Sequence, residues 1–182
     1  MSPHLTFILG GARSGKSRLA EQLARAARLE KIYIATAEAY DEEMRERIAK
    51  HRSDRGADWT TIDAPIALAS MLRTHAAPTN ILLVDCLTLW LSNIMLAERD
   101  VEAEIEALRT CTERLRGPAI VVSNEVGLGI VPDNALARRF RDWQGRLNQM
   151  IAAEADRVIF VAAGLPLVMK GPALDAAAGS AE

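Results

Sequence analysis

The residues Gly10, Gly11, Ala12, Arg13, Ser14, Gly15, Lys16 and Ser17 carry the spacing G-x-x-x-x-G-K-[ST], a pattern that folds backbone amides around phosphate. Glycines let the chain curl close to an anion, and successive N–H groups donate to its oxygens. A helix starting here adds positive potential. Lys16 is then suited to the β- and γ-phosphates of a nucleotide, and Ser17 to a magnesium ion. A second acidic signal stands at Asp85, which closes the apolar run Ile81-Leu82-Leu83-Val84. A carboxylate at the end of a buried strand, near a phosphate cradle, resembles a Walker B group that orients magnesium or its waters. A helix N-cap or a solvated strand end is the plainer alternative for Asp85.

His51 lies among Arg45, Arg47, Lys50, Arg52 and Arg55, a surface able to hold an anion. It also shares helical spacing with Met44 and Ile48. On composition alone, a packed histidine on a solvated charged helix outweighs a reactive one. The segment from Asn124 to Pro132 joins polar groups to the glycines Gly127 and Gly129. It reads equally well as a substrate-contacting loop or an ordinary connection. Cys86 and the stripe through Trp143 read as core.

These groups need a scaffold, and the apolar pattern supplies one. Leu5 to Leu9 predicts a strand running into the glycines, with Leu19, Leu23 and Ala26 at helical spacing after them. Lys31 to Thr36 predicts a second strand and Asp41 to His51 a charged helix. Pro65 opens a helix bearing Leu68 and Leu72. The run Ile81 to Leu96 reads as a buried strand leading into a helix. Asp100 caps another helix carrying Ile105, Leu108 and Leu115, which Gly117-Pro118 stops before a strand from Ala119 to Val122. Leu136, Phe140, Trp143, Leu147 and Met150 form a long helical stripe, followed by strands over Val158 to Ala162 and Leu167 to Lys170. Alternating helices and uniformly apolar strands predict an α/β fold, a P-loop NTPase-like sandwich with a mainly parallel central sheet flanked by helices.

The 182 residues, 49% of them hydrophobic, suit one catalytic domain over residues 1–170, with an Ala- and Gly-rich tail from 171 to 182 expected to fray. A formal charge of -2 and 4% aromatic content argue against nucleic-acid binding, and no run is long enough to span a membrane. Cys86 and Cys111 have neither zinc-ligand spacing nor disulfide density, so they read as reduced thiols of a cytoplasmic protein.

Taken together, GGARSGKS, YIATAEAYDEEMRERIAKHR, the strand ending at Asp85, and SNEVGLGIVPDNALARRFRDWQGRLNQ resemble the bifunctional adenosylcobinamide kinase and adenosylcobinamide-phosphate guanylyltransferase family of cobalamin biosynthesis. The resemblance spans Leu5 to about Lys170. It implies phosphorylation of adenosylcobinamide, then transfer of GMP from GTP to adenosylcobinamide phosphate, with ATP and GTP as co-substrates and Mg2+ as cofactor. It places nucleotide contacts at Gly10 to Ser17, at Ala35, Thr36 and Ala37, at Arg52, Ser53, Asp54 and Arg55, and at Asp63 and Asp85. It makes His51 the guanylylated residue, against the reading from composition, and implies a homotrimer. A P-loop kinase for another small alcohol, or a nucleotide-controlled binding switch, would share the first motif alone.

Overall fold

The computed structural model describes residues 4–38, 42, 45, 46 and 55–174. Among them, seven strands form one sheet: β1 (Leu5–Gly10), β2 (Glu30–Ala35), β3 (Trp59–Asp63), β4 (Asn80–Asp85), β5 (Ala119–Asn124), β6 (Arg157–Ala162) and β7 (Leu165–Lys170). Their order is β3-β2-β4-β5-β1-β6-β7. All neighbouring pairs are parallel except β6 with β7, which form an antiparallel hairpin at one edge. The helices are α1 (Lys16–Ala26), α2 (Leu68–His75), α3 (Leu87–Leu96), α4 (Val101–Thr112) and α5 (Ala135–Glu154). The mainly parallel sandwich expected from the sequence is the architecture found.

The two-residue period of the strands sorts their side chains into two cores. Phe7, Leu9, Leu82, Val84 and Val121 face α2 to α5, where Leu68, Trp90, Leu91, Leu108 and Ile151 close the layer. Ile8, Tyr33, Leu83, Ile120 and Val122 face the other way, onto Leu19, Ala20 and Ala24 of α1. Burial on both faces is why β1, β4 and β5 are nearly uniform in apolar character. Asp100 caps α4 as expected, accepting from the Ala103 amide at 3.1 Å.

Three local readings change. β3 pairs with β2 at the sheet margin, where Trp59 alone of its five residues is buried, so its strand character lacked an apolar run. Leu115 falls beyond α4, which ends at Thr112 with the threonine hydroxyl bonded back to Arg109 O. On α5 the buried positions are Gln144, Leu147, Asn148 and Ile151, whereas Phe140, Trp143 and Met150 are only partly covered and Leu136 is exposed. The buried face is rotated from the apolar stripe because two amides turn inward.

Those amides tie α5 to the end of β5. Gln144 Nε2 donates to Ser123 Oγ at 3.0 Å and to Asn148 Oδ1 at 2.9 Å, while Ser123 Oγ donates to Asn148 Oδ1 at 2.8 Å. Asn148 Nδ2 then reaches Asn124 O at 3.1 Å, and the Asn124 amide donates to Thr88 Oγ1 on α3 at 2.8 Å. Buried polar groups joined this way fix the strand end at one height relative to both helices. Asn148→Ala removes the acceptor of the Ser123 hydroxyl and the side-chain donor to the Asn124 carbonyl, so we expect a loss of about 1–3 kcal/mol in urea unfolding with helix content retained. A loss below about 0.5 kcal/mol would show that the network adds nothing to stability.

Candidate functional site

The cradle hangs between β1 and α1. Its turn needs positive φ at Arg13 (55°) and Gly15 (98°), the second of which only glycine adopts without strain. Gly10 is needed for space: a Cβ there would sit 2.4 Å from Val161 O and 2.6 Å from Ser14 Oγ. The β6–β7 turn braces the loop from behind, with the Gly164 amide donating to Ser14 O at 2.9 Å. Lys16 is buried and its Nζ donates to Gly11 O at 2.8 Å. Burial pulls its ammonium below the ordinary lysine range, against the opposing pull of the Asp85 charge. Ser14 Oγ is buried and, among the described residues, has no hydrogen-bond partner. A cationic group and an unpaired hydroxyl within one curled loop fit a nucleotide's phosphates.

Register brings the other predicted groups to the same edge. Ala35 lies opposite both Asp63 and Asp85, Asp85 opposite Val122, and Gly10 opposite Asn124. The Glu125 amide donates to Gly10 O at 3.1 Å, so the Asn124–Pro132 segment leaves β5 directly beside the cradle. Leu128 and Ile130 on that segment are 82% and 97% exposed. Asp63 is exposed, Ala37 is half-buried, and Asp85 is half-buried at the mouth of the sheet. Thr36 is fully buried, its hydroxyl donating to Cys86 O and accepting from Cys86 N, both at 2.7 Å. That side chain clips β2 to β4.

Ser17, half-buried on the first turn of α1, and Asp85 both offer hard oxygens. Among the described residues, no group of three or more His, Cys, Asp or Glu is arranged to cage a metal. A hydroxyl plus one carboxylate suits magnesium, which keeps waters and leans on substrate phosphates instead of a protein cage. Cys86 is buried and its thiol is pushed up to about 11, mainly by desolvation, so it stays protonated at neutral pH.

One neighbour of Asp85, Tyr33, was not singled out from the sequence as a site residue, whereas Arg55, which packs on it, was among the expected nucleotide contacts. Tyr33, buried on β2, donates its phenol hydroxyl to Asp85 Oδ2 over a long 3.2 Å. Burial first, and then the adjoining carboxylate, hold that phenol well above its usual range. Arg55 is buried with its guanidinium carbon 3.5 Å from the centroid of the Tyr33 ring, and Arg25 Nη2 donates to Arg55 O at 2.6 Å. Trp59 meets the same ring edge-on at 6.1 Å. The available signal was an aromatic two positions before the end of a buried strand. The predicted residues His51, Arg52, Ser53 and Asp54 lie outside the described residues, as does most of the predicted helix from Asp41 to His51. Glu42, Arg45 and Glu46 are helical.

The fold recurs in the flagellar accessory protein FlaH from Methanocaldococcus jannaschii, with a TM-score of 0.53 at 20% identity over 99% of this chain and 83% of that one. That likeness concerns architecture alone. The chain is 53% identical over 170 residues to the bifunctional adenosylcobalamin biosynthesis protein CobP of Pseudomonas aeruginosa, covering 92% of this chain and 98% of the relative. It is 38% identical over 181 residues to the bifunctional adenosylcobalamin biosynthesis protein CobU of Salmonella typhimurium, covering 91% and 99%. The family model described as cobinamide kinase / cobinamide phosphate guanyltransferase matches residues 6–169. With the phosphate cradle and Asp85 brought to one sheet edge and these motifs running the length of the domain, the chain belongs to the cobinamide kinase / cobinamide phosphate guanyltransferase family.

Proposed function

We propose that the protein phosphorylates the aminopropanol hydroxyl of adenosylcobinamide and then transfers GMP from GTP onto the new phosphate through His51. The observation that carries this reading is the alignment of Gly10 with Asn124 and of Ala35 with Asp63 and Asp85, which gathers a phosphate cradle and a carboxylate at one edge in a chain of this family. In the kinase step the substrate hydroxyl attacks the γ-phosphorus of ATP or GTP. The bond to the β-bridging oxygen breaks, the nucleoside diphosphate leaves, and the hydroxyl proton passes to solvent. Lys16 and the cradle amides hold the phosphate chain and offset its growing charge.

In the second step a neutral imidazole nitrogen of His51 attacks the α-phosphorus of GTP, forming an N–P bond as pyrophosphate leaves. A phosphate oxygen of adenosylcobinamide phosphate then displaces the imidazole, giving adenosylcobinamide-GDP. Arg52, Ser53, Asp54 and Arg55 adjoin His51 in sequence and supply contacts for the guanylyl group. Magnesium, when bound at Ser17 and Asp85, shields the phosphate charge. A homotrimer and a cytoplasmic site belong to the same reading. Family resemblance supports the trimer, and the reduced thiols Cys86 and Cys111 support the compartment. No described helix is long and apolar enough to cross a membrane.

Incubation with adenosylcobinamide, GTP and magnesium, followed by mass analysis of product and protein, tests the whole scheme. Lys16→Ala should lower both activities by about 100-fold or more, because both use the same phosphate cradle. Near-normal turnover would refute the cradle's role. His51→Ala should abolish the acid-labile GMP adduct and leave kinase turnover within about tenfold of the parent, since γ-phosphoryl transfer needs no histidine nucleophile. An adduct surviving in that variant would assign the nucleophile elsewhere.

A further inference from the structure

Tyr33 occupies a position that packing alone does not account for. It is buried, on the face of β2 that meets α1, and sits opposite Leu83 in the β2–β4 register. Asp85 is two residues further along β4 and therefore on the same face, as a diagonal neighbour. A phenylalanine would fill the same volume. The hydroxyl instead points to Asp85 Oδ2 at 3.2 Å. The rest of the ring is fixed on two sides, by Trp59 edge-on at 6.1 Å and by the Arg55 guanidinium at 3.5 Å. Arg55 in turn is held by its backbone, whose carbonyl accepts from Arg25 Nη2 at 2.6 Å. Its side chain is buried, its Nε lacks a hydrogen-bond partner among the described residues, and its guanidinium stacks on Tyr33.

We propose that Tyr33 is a positioning residue for the nucleotide–metal site, holding one oxygen of Asp85 with its hydroxyl while its ring seats Arg55. A carboxylate with two free oxygens can rotate between binding modes. With Oδ2 engaged by a phenol on a rigid strand, Oδ1 is the oxygen presented to a cation or its waters. Groups that orient a ligating carboxylate in this way typically change metal affinity or activity by 10–100-fold when removed. The ring stack adds a second constraint, since cation–π contact over a buried ring restrains the Arg55 guanidinium beside β2. Tyr33 thus touches, through its hydroxyl and its ring, the carboxylate assigned to magnesium and the arginine assigned to the guanylyl group in the proposed function, on which this inference rests.

Tyr33→Phe separates the two ends, because it keeps the ring and removes only the hydroxyl. The measurement is binding of a fluorescent GTP analogue by the full chain, titrated with magnesium and in its absence. The half-saturating magnesium concentration should rise about tenfold in Tyr33→Phe, with metal-free nucleotide affinity within about twofold of the parent and turnover reduced through kcat more than KM. An unchanged magnesium midpoint would overturn the proposal. Asp85→Asn and the double variant guard against a general destabilisation: if Tyr33 acts through Asp85, adding Tyr33→Phe to Asp85→Asn should shift the midpoint no further, whereas full additivity would overturn the proposal. Should the parent protein itself show no magnesium dependence, the metal role of Asp85 fails, and Tyr33's positioning role falls with it.

Discussion

Parallel pairing of strands that are buried on both faces is the constraint on which everything else in this protein depends. A parallel neighbour requires a crossover, and crossovers place helices on the faces, so the strand interiors must be apolar and the polar chemistry is displaced to the strand ends. β5 lies between β1 and β4. The cradle and Asp85 therefore sit one strand apart, with Asn124 and its loop emerging between them. Ligands in open parallel sheets gather outside the carboxyl ends of strands for this reason.

Placing polar groups at the rim of such a core has an energetic consequence. Each of them is partly dehydrated and must find a partner or carry a perturbed ionisation. Lys16 answers with the Gly11 carbonyl, Thr36 with both backbone groups of Cys86, and Ser123 with the amides of Gln144 and Asn148. Tyr33 and Asp85 answer each other. Ser14 within the cradle keeps a buried hydroxyl with no partner among the described residues, and it does so where phosphate oxygens would arrive. The site is consequently stiff where strands and helices hold it, which favours preorganised recognition of charge over recognition by local folding.

The two faces of the sheet are unequal, and the inequality has functional meaning. Among the described residues, α2 to α5 cover one face, whereas α1 supplies the buried helical side chains of the other, with Leu89 of α3 packed against them. The phosphate cradle, Tyr33 and Arg55 belong to that second face. The face with four helices is the structural base, with Trp90, Leu91 and Ile94 of α3 wholly buried. Similarity to FlaH extends only to this layered plan. Membership of the cobinamide kinase / cobinamide phosphate guanyltransferase family rests on sequence along the whole domain.

Much of this was legible in the amino-acid order because short-range physics governs it. Gly10 to Ser17 announces a phosphate cradle by spacing, the run ending at Asp85 announces a central strand by uniform apolarity, and Asp100 announces a helix start by its capping chemistry. Where long-range pairing decides, the order is silent. Nothing local shows that β3 is a strand, because a marginal strand needs no apolar run, and its identity comes from pairing with β2. The inward turn of Gln144 and Asn148 on α5 depends on Ser123, a residue of another element, so the apolar stripe through Trp143 pointed to the wrong part of the helix face. The contact of Tyr33 with Asp85 joins residues 52 apart, and the stack of Arg55 on the same ring arises only once β2 is in place. Sequence by itself thus determined which residue types could bind phosphate and which segments must be buried. Tertiary structure alone decided which of those groups touch, because strand order and register are set by the packing of the whole sheet and not by any one segment of the chain.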